Sequence, residues 1–192
     1  MNDTHNMKTA ERTSHNPQRT IVLVGMMVAG KSAVGRKLAV RFGLPFVDSD
    51  AEIEEASGMT ISQFFETHGE AEFRKGEGRV IARILNGPPC ILSTGGGAFM
   101  DAGTRSLIHE KALSIWLKAD LEILVKRAAR KDDRPLLQGG DLRTRLQNIL
   151  AVREPIYAEA NLTVESDERP VDDMVERVLN AIDIYNKKGA LP

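Results

Sequence analysis

Short runs of apolar residues alternate with longer amphipathic stretches along most of the chain. The first run, residues 21–24, is continuous and stops at Gly25, a pattern typical of a parallel strand that is buried on both faces. Before it, residues 1–19 hold no Ile, Leu, Val, Phe, Trp or Tyr. Because such a segment has little to bury, we predict a disordered extension there and an ordered domain from Thr20 onward.

Four further apolar runs have the same character, and helical periodicity fills most of the sequence between them. The later predicted strands are residues 44–47, 90–93, 113–117 and 162–164. The predicted helices are residues 31–42, short stretches around 61–65, and then 70–85, 101–110, 121–130, 142–160 and 171–185. Strands that alternate with helices favour an α/β fold with a parallel sheet and helices on both faces. A length of 192 residues suits one such domain, which we place at residues 20–188.

The loop after the first strand carries the strongest motif. Residues 25–32 read Gly-Met-Met-Val-Ala-Gly-Lys-Ser and match the pattern G-x-x-x-x-G-K-[ST] between a strand and a helix. Gly25 and Gly30 permit a tight turn whose backbone N–H groups point at phosphate oxygens. Lys31 can reach the β- and γ-phosphates at the positive end of the helix dipole, and the Ser32 hydroxyl can ligate Mg²⁺. The motif predicts binding of a phosphate compound without fixing which one.

Two further segments follow predicted strands in the same way. Asp48 and Asp50 come just after the second strand, and Gly95, Gly96 and Gly97 follow the third. Ligands of open α/β sheets bind beyond the carboxyl ends of the strands, so we expect both segments near the phosphate loop. We expect the two carboxylates to point in different directions, one toward Mg²⁺ through water and the other toward a substrate hydroxyl. Asp50 could instead cap a helix, and the glycines could form a flexible loop.

Three arginines each allow a functional and a structural interpretation. Arg74 lies on a charged helix, where it could pair with Glu70 one turn away. Arg153 could equally lie on the surface. Arg134 belongs to a polar stretch, residues 131–140. Phosphoryl transfer needs positive charge over the transferring group, often supplied by a mobile segment, and Arg134 could either serve there or belong to a solvated loop.

Composition narrows the classes of function. Lys and Arg number 26 and Asp and Glu number 27, for a net charge of −1, which argues against general nucleic-acid binding through phosphates. No apolar run approaches the ~20 residues that a membrane span needs. A single cysteine, Cys90, excludes an internal disulfide and is typical of a reducing compartment, so we expect a cytoplasmic protein. The four histidines and one cysteine show no zinc-ligand spacing.

Taken together, the motifs resemble the shikimate kinases, small P-loop kinases related to the nucleoside monophosphate kinases. That pattern is a phosphate loop, Phe-x-Asp-x-Asp, Gly-Glu-x-x-Phe-Arg, a Gly-Gly-Gly run, Arg-Pro-Leu-Leu and Arg-x-x-x-Tyr. It occurs here in order at residues 25–32, 46–50, 69–74, 95–97, 134–137 and 153–157. The resemblance spans residues 20 to about 185 and implies a three-layer P-loop kinase fold of five parallel strands, with a small lid at about residues 128–140. It also implies transfer of the ATP γ-phosphoryl group to the 3-hydroxyl of shikimate, on the route to chorismate and the aromatic amino acids.

The resemblance further implies a role for each matching residue. ATP would be bound by Gly25, Val28, Ala29, Gly30, Lys31, Ser32 and Ala33, with Arg127 and Pro170 beside the adenine and Arg134 reaching the phosphates. Mg²⁺ would be held by Ser32, with Asp48 supporting it through water. Shikimate would be bound by Asp50, Arg74, Gly95, Gly96, Gly97 and Arg153. The two arginines would clamp its carboxylate, which suits a planar guanidinium fork. Lys31, Asp50 and Arg134 would be catalytic, with Asp50 as the candidate general base, and we expect a monomer.

Two positions depart from the family pattern. Val28 stands where members commonly carry Gly, and a branched side chain does not easily accept a positive φ, so we predict an ordinary backbone conformation there. Ala33 replaces a frequent Thr or Ser, with less expected effect. Two other functions stay open, a kinase of another small acid such as gluconate and a non-catalytic ATP-binding module. The set of Asp50, Arg74 and Arg153 favours a hydroxylated ring carboxylate over the first, and the Arg134 segment argues against the second.

Overall fold

The computed structural model describes residues 19–130 and 141–189. Within these ranges the strands are β1 (Thr20–Val24), β2 (Phe46–Asp48), β3 (Ile91–Ser93), β4 (Ala112–Ala119) and β5 (Leu162–Ser166). The helices are α1 (Lys31–Phe42), α2 (Ser49–Ser57), α3 (Ile61–Leu85), α4 (Ala102–Lys111), α5 (Leu121–Ala128), α6 (Leu142–Tyr157) and α7 (Val171–Lys187), with a 3₁₀ turn at Ala98–Met100. The predicted alternation of strands and helices is confirmed, with boundaries shifted by a few residues. The predicted extension before Thr20 and most of the predicted lid, with Arg134, lie outside the described residues.

The five strands form one parallel sheet in the order β2-β3-β1-β4-β5. Every residue of the central strand β1 is buried, which is why its sequence is a continuous apolar run. The chain leaves β1 through α1 for β2 at one edge of the sheet, whereas it leaves β3 through α4 for β4 on the opposite side of β1. Because such crossovers are right-handed, α1 and α4 lie on opposite faces. Helix α7 packs against α1, and α3 packs against α4, which confirms the predicted layers.

The change of direction fixes where a ligand can bind. Chain segments leave β1 and β3 toward opposite faces of the sheet, so a crevice opens between the carboxyl ends of these neighbouring strands. The phosphate loop follows β1, and the three glycines follow β3. The topology therefore brings together two segments that lie about seventy residues apart in the sequence.

Helix α3 spans both the short helical stretch predicted around residues 61–65 and the longer helix predicted at residues 70–85. Gly69 interrupts it with φ 77° and ψ 171°, a backbone conformation that glycine adopts readily. Before the kink, Thr60 and Gln63 form a reciprocal capping box. After the kink, Phe73 packs against Phe65 with ring centroids 4.5 Å apart. This contact anchors the charged half of α3, which carries Arg74.

The core consists of the strand side chains and the apolar stripes of the helices that cover them. Cys90 is buried. The apolar spacing along α7 predicts a buried stripe of Val171, Met174, Val175, Val178 and Ile182; the last four are buried, whereas Val171 is exposed. Among the described residues no helix is both long enough and apolar enough to cross a bilayer.

Candidate active site

The loop between β1 and α1 is a tight turn around the first residues of the helix. Gly25 has φ 133° and Gly30 has φ 102°, both in the region that favours glycine. A Cβ on Gly25 would lie 2.7 Å from the carbonyl oxygen of Leu117, so this position has no room for a side chain. The Lys31 ammonium donates to the carbonyls of Gly25 and Met26, each at 2.9 Å. These bonds hold the positive charge against the loop.

The prediction for the Val28 backbone is wrong. Val28 has φ 56° and is the single non-glycine residue with positive φ in the described ranges. A left-handed conformation costs an L-residue roughly 1–2 kcal/mol. The guanidinium of Arg127 stabilises this segment by donating to the carbonyls of Val28 at 3.4 Å and Ala29 at 3.1 Å. The expectation considered local preference alone, whereas tertiary hydrogen bonds outweigh it here.

Ser32 and Asp48 form a pair of oxygen donors beside the loop. The Ser32 hydroxyl donates to Asp48 Oδ2 at 2.8 Å and lies 3.2 Å from the hydroxyl of Ser93. Hard oxygen ligands of this kind suit a small divalent cation that keeps several waters and takes other ligands from a phosphate. The described part of the chain holds no cluster of three or more His, Cys, Asp or Glu arranged for a metal. Water and phosphate oxygens would supply the other ligands of such a cation.

Asp48 and Asp50 face different partners because α2 begins between them, whereas in an extended strand residues two apart lie on the same face. Asp48 ends β2 and caps α2, with its Oδ1 accepting from the Asp50 N–H at 3.2 Å. The capping residue is therefore Asp48, not Asp50. Asp50 lies in the first turn of α2, and its Oδ1 is 2.7 Å from the place where a Cβ on Gly95 would be. The start of the helix turns one carboxylate toward Ser32 and the other toward the glycine run.

Arg74 forms the predicted pair with Glu70 and also lies against the glycine run. It pairs with Glu70 at 3.3 Å and with Glu77 at 2.6 Å. A Cβ on Gly97 would lie 2.5 Å from the Arg74 Cζ. The guanidinium therefore occupies space that a side chain at position 97 would fill. Arg74 therefore lies against the glycine run while its own carboxylate partners fix its orientation.

Glu77 is a site residue that the sequence analysis missed. It is 2% exposed, and its Oε1 has no hydrogen-bond partner among the described residues. That oxygen lies 2.6 Å from where a Cβ on Gly95 would be. Burial raises the pKa of Glu77 above its ordinary 4.5 and Asp50 adds to the rise, whereas Arg74 and Arg153 oppose it. The spacing of three residues from Arg74 on one helix was the signal available in the sequence.

Arg153, on α6, also lies against the glycine run. A Cβ on Gly96 would lie 3.4 Å from Arg153 Nη1 and 3.3 Å from the backbone nitrogen of Met27. Gly96 thus lies between the phosphate loop and α6. Because Gly96 has no side chain, the glycine run, the phosphate loop and α6 can approach one another closely at this point.

A cleft of about 500 Å³ unites most of these residues. Of the predicted site residues, its lining includes Val28, Ala29, Gly30, Lys31, Ser32, Ala33, Asp48, Asp50, Gly95, Gly96 and Arg127. Four predicted residues, Gly25, Arg74, Gly97 and Arg153, lie next to this lining and not in it. Pro170 directly precedes α7, whose Val171 and Met174 line the cleft. Arg134 lies outside the described residues.

Another part of the cleft lining is built around Arg127. Its guanidinium donates to the Ser166 hydroxyl at 3.1 Å and to the carbonyl of Asp167, besides the loop carbonyls. A planar cation held in this way offers a flat face to a ring, and guanidinium planes stack on aromatic rings. The geometry is compatible with a nucleotide whose phosphates lie in the loop and whose base lies near Arg127.

Comparison with known proteins agrees with this geometry. A family model described as shikimate kinase matches residues 27–183. A shikimate kinase from Paramagnetospirillum magneticum is 55% identical over 87% of this chain and 86% of its own length. The structure of a shikimate kinase from Acinetobacter baumannii in complex with shikimate has a TM-score of 0.86 and 35% identity, over 92% of this chain and 98% of that one.

A gluconokinase from Sinorhizobium meliloti has a TM-score of 0.59 at 18% identity, over 88% of this chain and 97% of that one. At that identity the likeness shows the fold alone, and the predicted P-loop kinase fold is thereby confirmed. The family match covers most of the sequence, including residues 27–32 of the phosphate loop, the glycine run, Arg74 and Arg153. The chain therefore belongs to the shikimate kinase family.

Proposed function

We propose that this chain transfers the γ-phosphoryl group of ATP to the 3-hydroxyl of shikimate, giving shikimate 3-phosphate and ADP. The observation that carries the proposal is the junction at the glycine run, residues 95–97, where the phosphate loop, the carboxylates of Asp50 and Glu77 and the guanidinium groups of Arg74 and Arg153 converge. The family membership and the shikimate kinase relatives support the same reaction. The product would feed the synthesis of chorismate and the aromatic amino acids.

Lys31 and the loop backbone bind and orient the phosphates in this proposal. Little covalent chemistry is asked of the protein in phosphoryl transfer, so positioning and charge stabilisation supply most of the rate. Lys31 keeps its positive charge beside the β- and γ-phosphates, and the loop N–H groups fix the phosphate chain. Arg127 and Pro170 flank the base. Arg134, whose role stays a prediction, would add charge over the transferring group.

Mg²⁺ is the metal we propose, held by the Ser32 hydroxyl with the Asp48 carboxylate supporting it through water. When bound, it neutralises charge that develops on the phosphate oxygens. The two donors lie 2.8 Å apart beside the first turn of α1. This position suits a cation that also contacts the phosphates in the loop.

Asp50, Arg74 and Arg153 bind the acceptor in this proposal. Asp50 accepts a hydrogen bond from the attacking hydroxyl and takes up its proton as the oxygen–phosphorus bond forms. Two guanidinium forks, one beside Gly96 and one beside Gly97, hold the carboxylate of the acid. All of these groups come from one chain, which supports a monomer as the active unit. The lone, buried Cys90 supports a reducing location such as the cytoplasm.

Identification of the product tests the proposed reaction. The full chain is incubated with ATP, Mg²⁺ and shikimate, and the phosphate position is read from phosphorus–proton coupling in the NMR spectrum. We expect one phosphoester, coupled to the proton on C3, and a matching amount of ADP. Release of ADP without a phosphoester, or a phosphate on another hydroxyl, would contradict the proposal.

Replacement of Arg74 by lysine should raise the KM for shikimate by about tenfold, with a smaller change in kcat. One ammonium cannot reproduce a bidentate contact, whose second hydrogen bond is worth about 1.5–3 kcal/mol when charged. Steady-state kinetics measures both constants. The matched control is Arg79→Lys, the same change at an exposed position of the same helix. Equal KM values in the two variants would mean that Arg74 does not bind the acid.

Acidification should weaken shikimate binding through Glu77. Because the folded-state pKa of Glu77 is raised, it takes up a proton at a higher pH than an exposed glutamate does. Protonation removes the charge that holds Arg74, so the KM of the wild-type chain should rise as the pH falls. The Glu77→Gln variant should start with a higher KM and show a flatter profile over the same pH range. Parallel profiles for the two proteins would exclude Glu77 as the titrating group.

A further inference from the structure

Tyr157 is a buried polar group to which the proposed reaction assigns no role. Its side chain is 0% exposed and lies at the carboxyl end of α6. The ring stacks on Trp116 at a centroid distance of 5.9 Å and an interplanar angle of 30°. The hydroxyl donates to the carbonyl oxygen of Gly96. A buried tyrosine hydroxyl normally finds a partner, but this partner belongs to the glycine run of the active site.

The Gly96 carbonyl differs from its two neighbours because its hydrogen-bond partner is a side chain and not a backbone N–H. The carbonyls on either side accept backbone N–H groups, Gly95 from Ala98 at 3.1 Å and Gly97 from Met100 at 3.0 Å. The Gly96 carbonyl accepts the tyrosine hydroxyl instead. A buried carbonyl without a partner costs free energy. The hydroxyl therefore fixes the peptide that lies between the phosphate loop and Arg153.

Arg153 and Tyr157 are one helical turn apart, so they share a face of α6. Burial raises the pKa of Tyr157, and the charge and hydrogen bonding of the nearby Arg153 oppose that rise. That pKa is about 12, so the hydroxyl keeps its proton and remains a donor throughout the ordinary assay range. One hydroxyl thus joins a clamp arginine to the glycine backbone that faces the acceptor.

We infer that Tyr157 is a positioning residue for shikimate, acting through Arg153 and the Gly96 peptide. The inference rests on the proposed function. The hydroxyl sets the distance between the guanidinium of Arg153 and the backbone of the glycine run, and so the width of the site for the acid. The phosphate loop keeps its own support from Lys31 and from Arg127. Loss of the hydroxyl should therefore affect the acid more than the nucleotide.

The Tyr157→Phe variant tests this directly, because phenylalanine keeps the ring against Trp116 and removes the hydroxyl alone. We expect the KM for shikimate to rise about tenfold, with kcat and the KM for ATP changed by less than about threefold. Titration calorimetry with shikimate should show the same rise in Kd without any turnover. Thermal unfolding of the variant establishes that it is folded.

Thr20→Val is the matched control. Thr20 is buried at the far end of the sheet from the site, and its hydroxyl accepts the Cys90 N–H at 3.2 Å. The two variants each lose one buried hydroxyl bonded to backbone, so both should lose thermal stability, but Thr20→Val should keep wild-type kinetics. A drop in Tm for Tyr157→Phe with unchanged KM and Kd would overturn the inference and leave the proposed function intact. If the wild-type chain neither binds nor phosphorylates shikimate, the proposed function fails and the inference with it.

Discussion

Replacement of Lys31 by methionine should lower kcat by about 10²–10³, the range found when one preorganised charge-stabilising group is removed. The ammonium lies against the loop carbonyls at 2.9 Å, at the amino end of α1 where the phosphates are expected. Methionine fills a similar volume without charge or donors. The loss should therefore appear in the chemical step and in ATP binding, with shikimate binding little changed. Steady-state kinetics with each substrate varied in turn measures these effects.

Lys37→Met is the matched control for this prediction. Lys37 lies on the same helix and pairs with Asp172 at 2.7 Å on the surface, and exposed pairs of this kind contribute little to stability. The control should keep wild-type kcat and both KM values. If Lys31→Met kept kcat within about threefold, the residue would not stabilise the transferring group. Equal losses in the two variants would point to general damage to α1.

Replacement of Asp50 by asparagine should lower kcat by about 10²–10⁴, the contribution typical of a positioned general acid–base group. The amide keeps the shape of the side chain in the first turn of α2 but cannot take the proton from the attacking hydroxyl. The effect should lie in kcat, since an amide oxygen can still accept a hydrogen bond from the bound acid. The variant should unfold at nearly the wild-type temperature, because Asp48 and not Asp50 caps the helix.

Glu52→Gln provides the comparison on the same helix. Glu52 pairs with Arg83 at 2.6 Å, away from the cleft, so its loss should leave kcat unchanged. An Asp50→Asn variant with wild-type kcat would exclude Asp50 as the base. A rise in the KM for shikimate at constant kcat would restrict Asp50 to binding.

The sequence predicted the parts of the fold and the site that local pattern controls. The continuous run at residues 21–24 predicted a central buried strand, because both faces of β1 are covered. The phosphate loop followed from its glycines and from the strand and helix around it. There is no space for a side chain at Gly25, and the motif expresses this restriction as a required glycine. The glycine run was assigned to the site from its place after a strand, and it borders the cleft.

The rest depends on contacts between distant segments. Val28 adopts φ 56° although its branched side chain opposes it, because Arg127 is close enough to bond to the loop carbonyls. Glu77 looked like one more charge on a polar helix, and it is buried only because α3 packs against α4, the 3₁₀ turn and the glycine run. The Tyr157 hydroxyl meets Gly96 across 61 positions of sequence. Such pairs carry no local signal in a single sequence, because either residue alone fits an ordinary helix or loop.

The most direct test of the proposed function is the acceptor preference of the full chain. Coupled ADP release is followed with ATP and Mg²⁺, with shikimate, quinate and gluconate as alternative acceptors at several concentrations. The proposed clamp predicts turnover with shikimate, and a kcat/KM for the other two acids that is lower by at least about 10²-fold, since a site built around specific polar contacts rejects acids that leave them unpaired. Equal or higher kcat/KM with gluconate, or no turnover with shikimate, would contradict the assignment of Asp50, Arg74 and Arg153 to this acid.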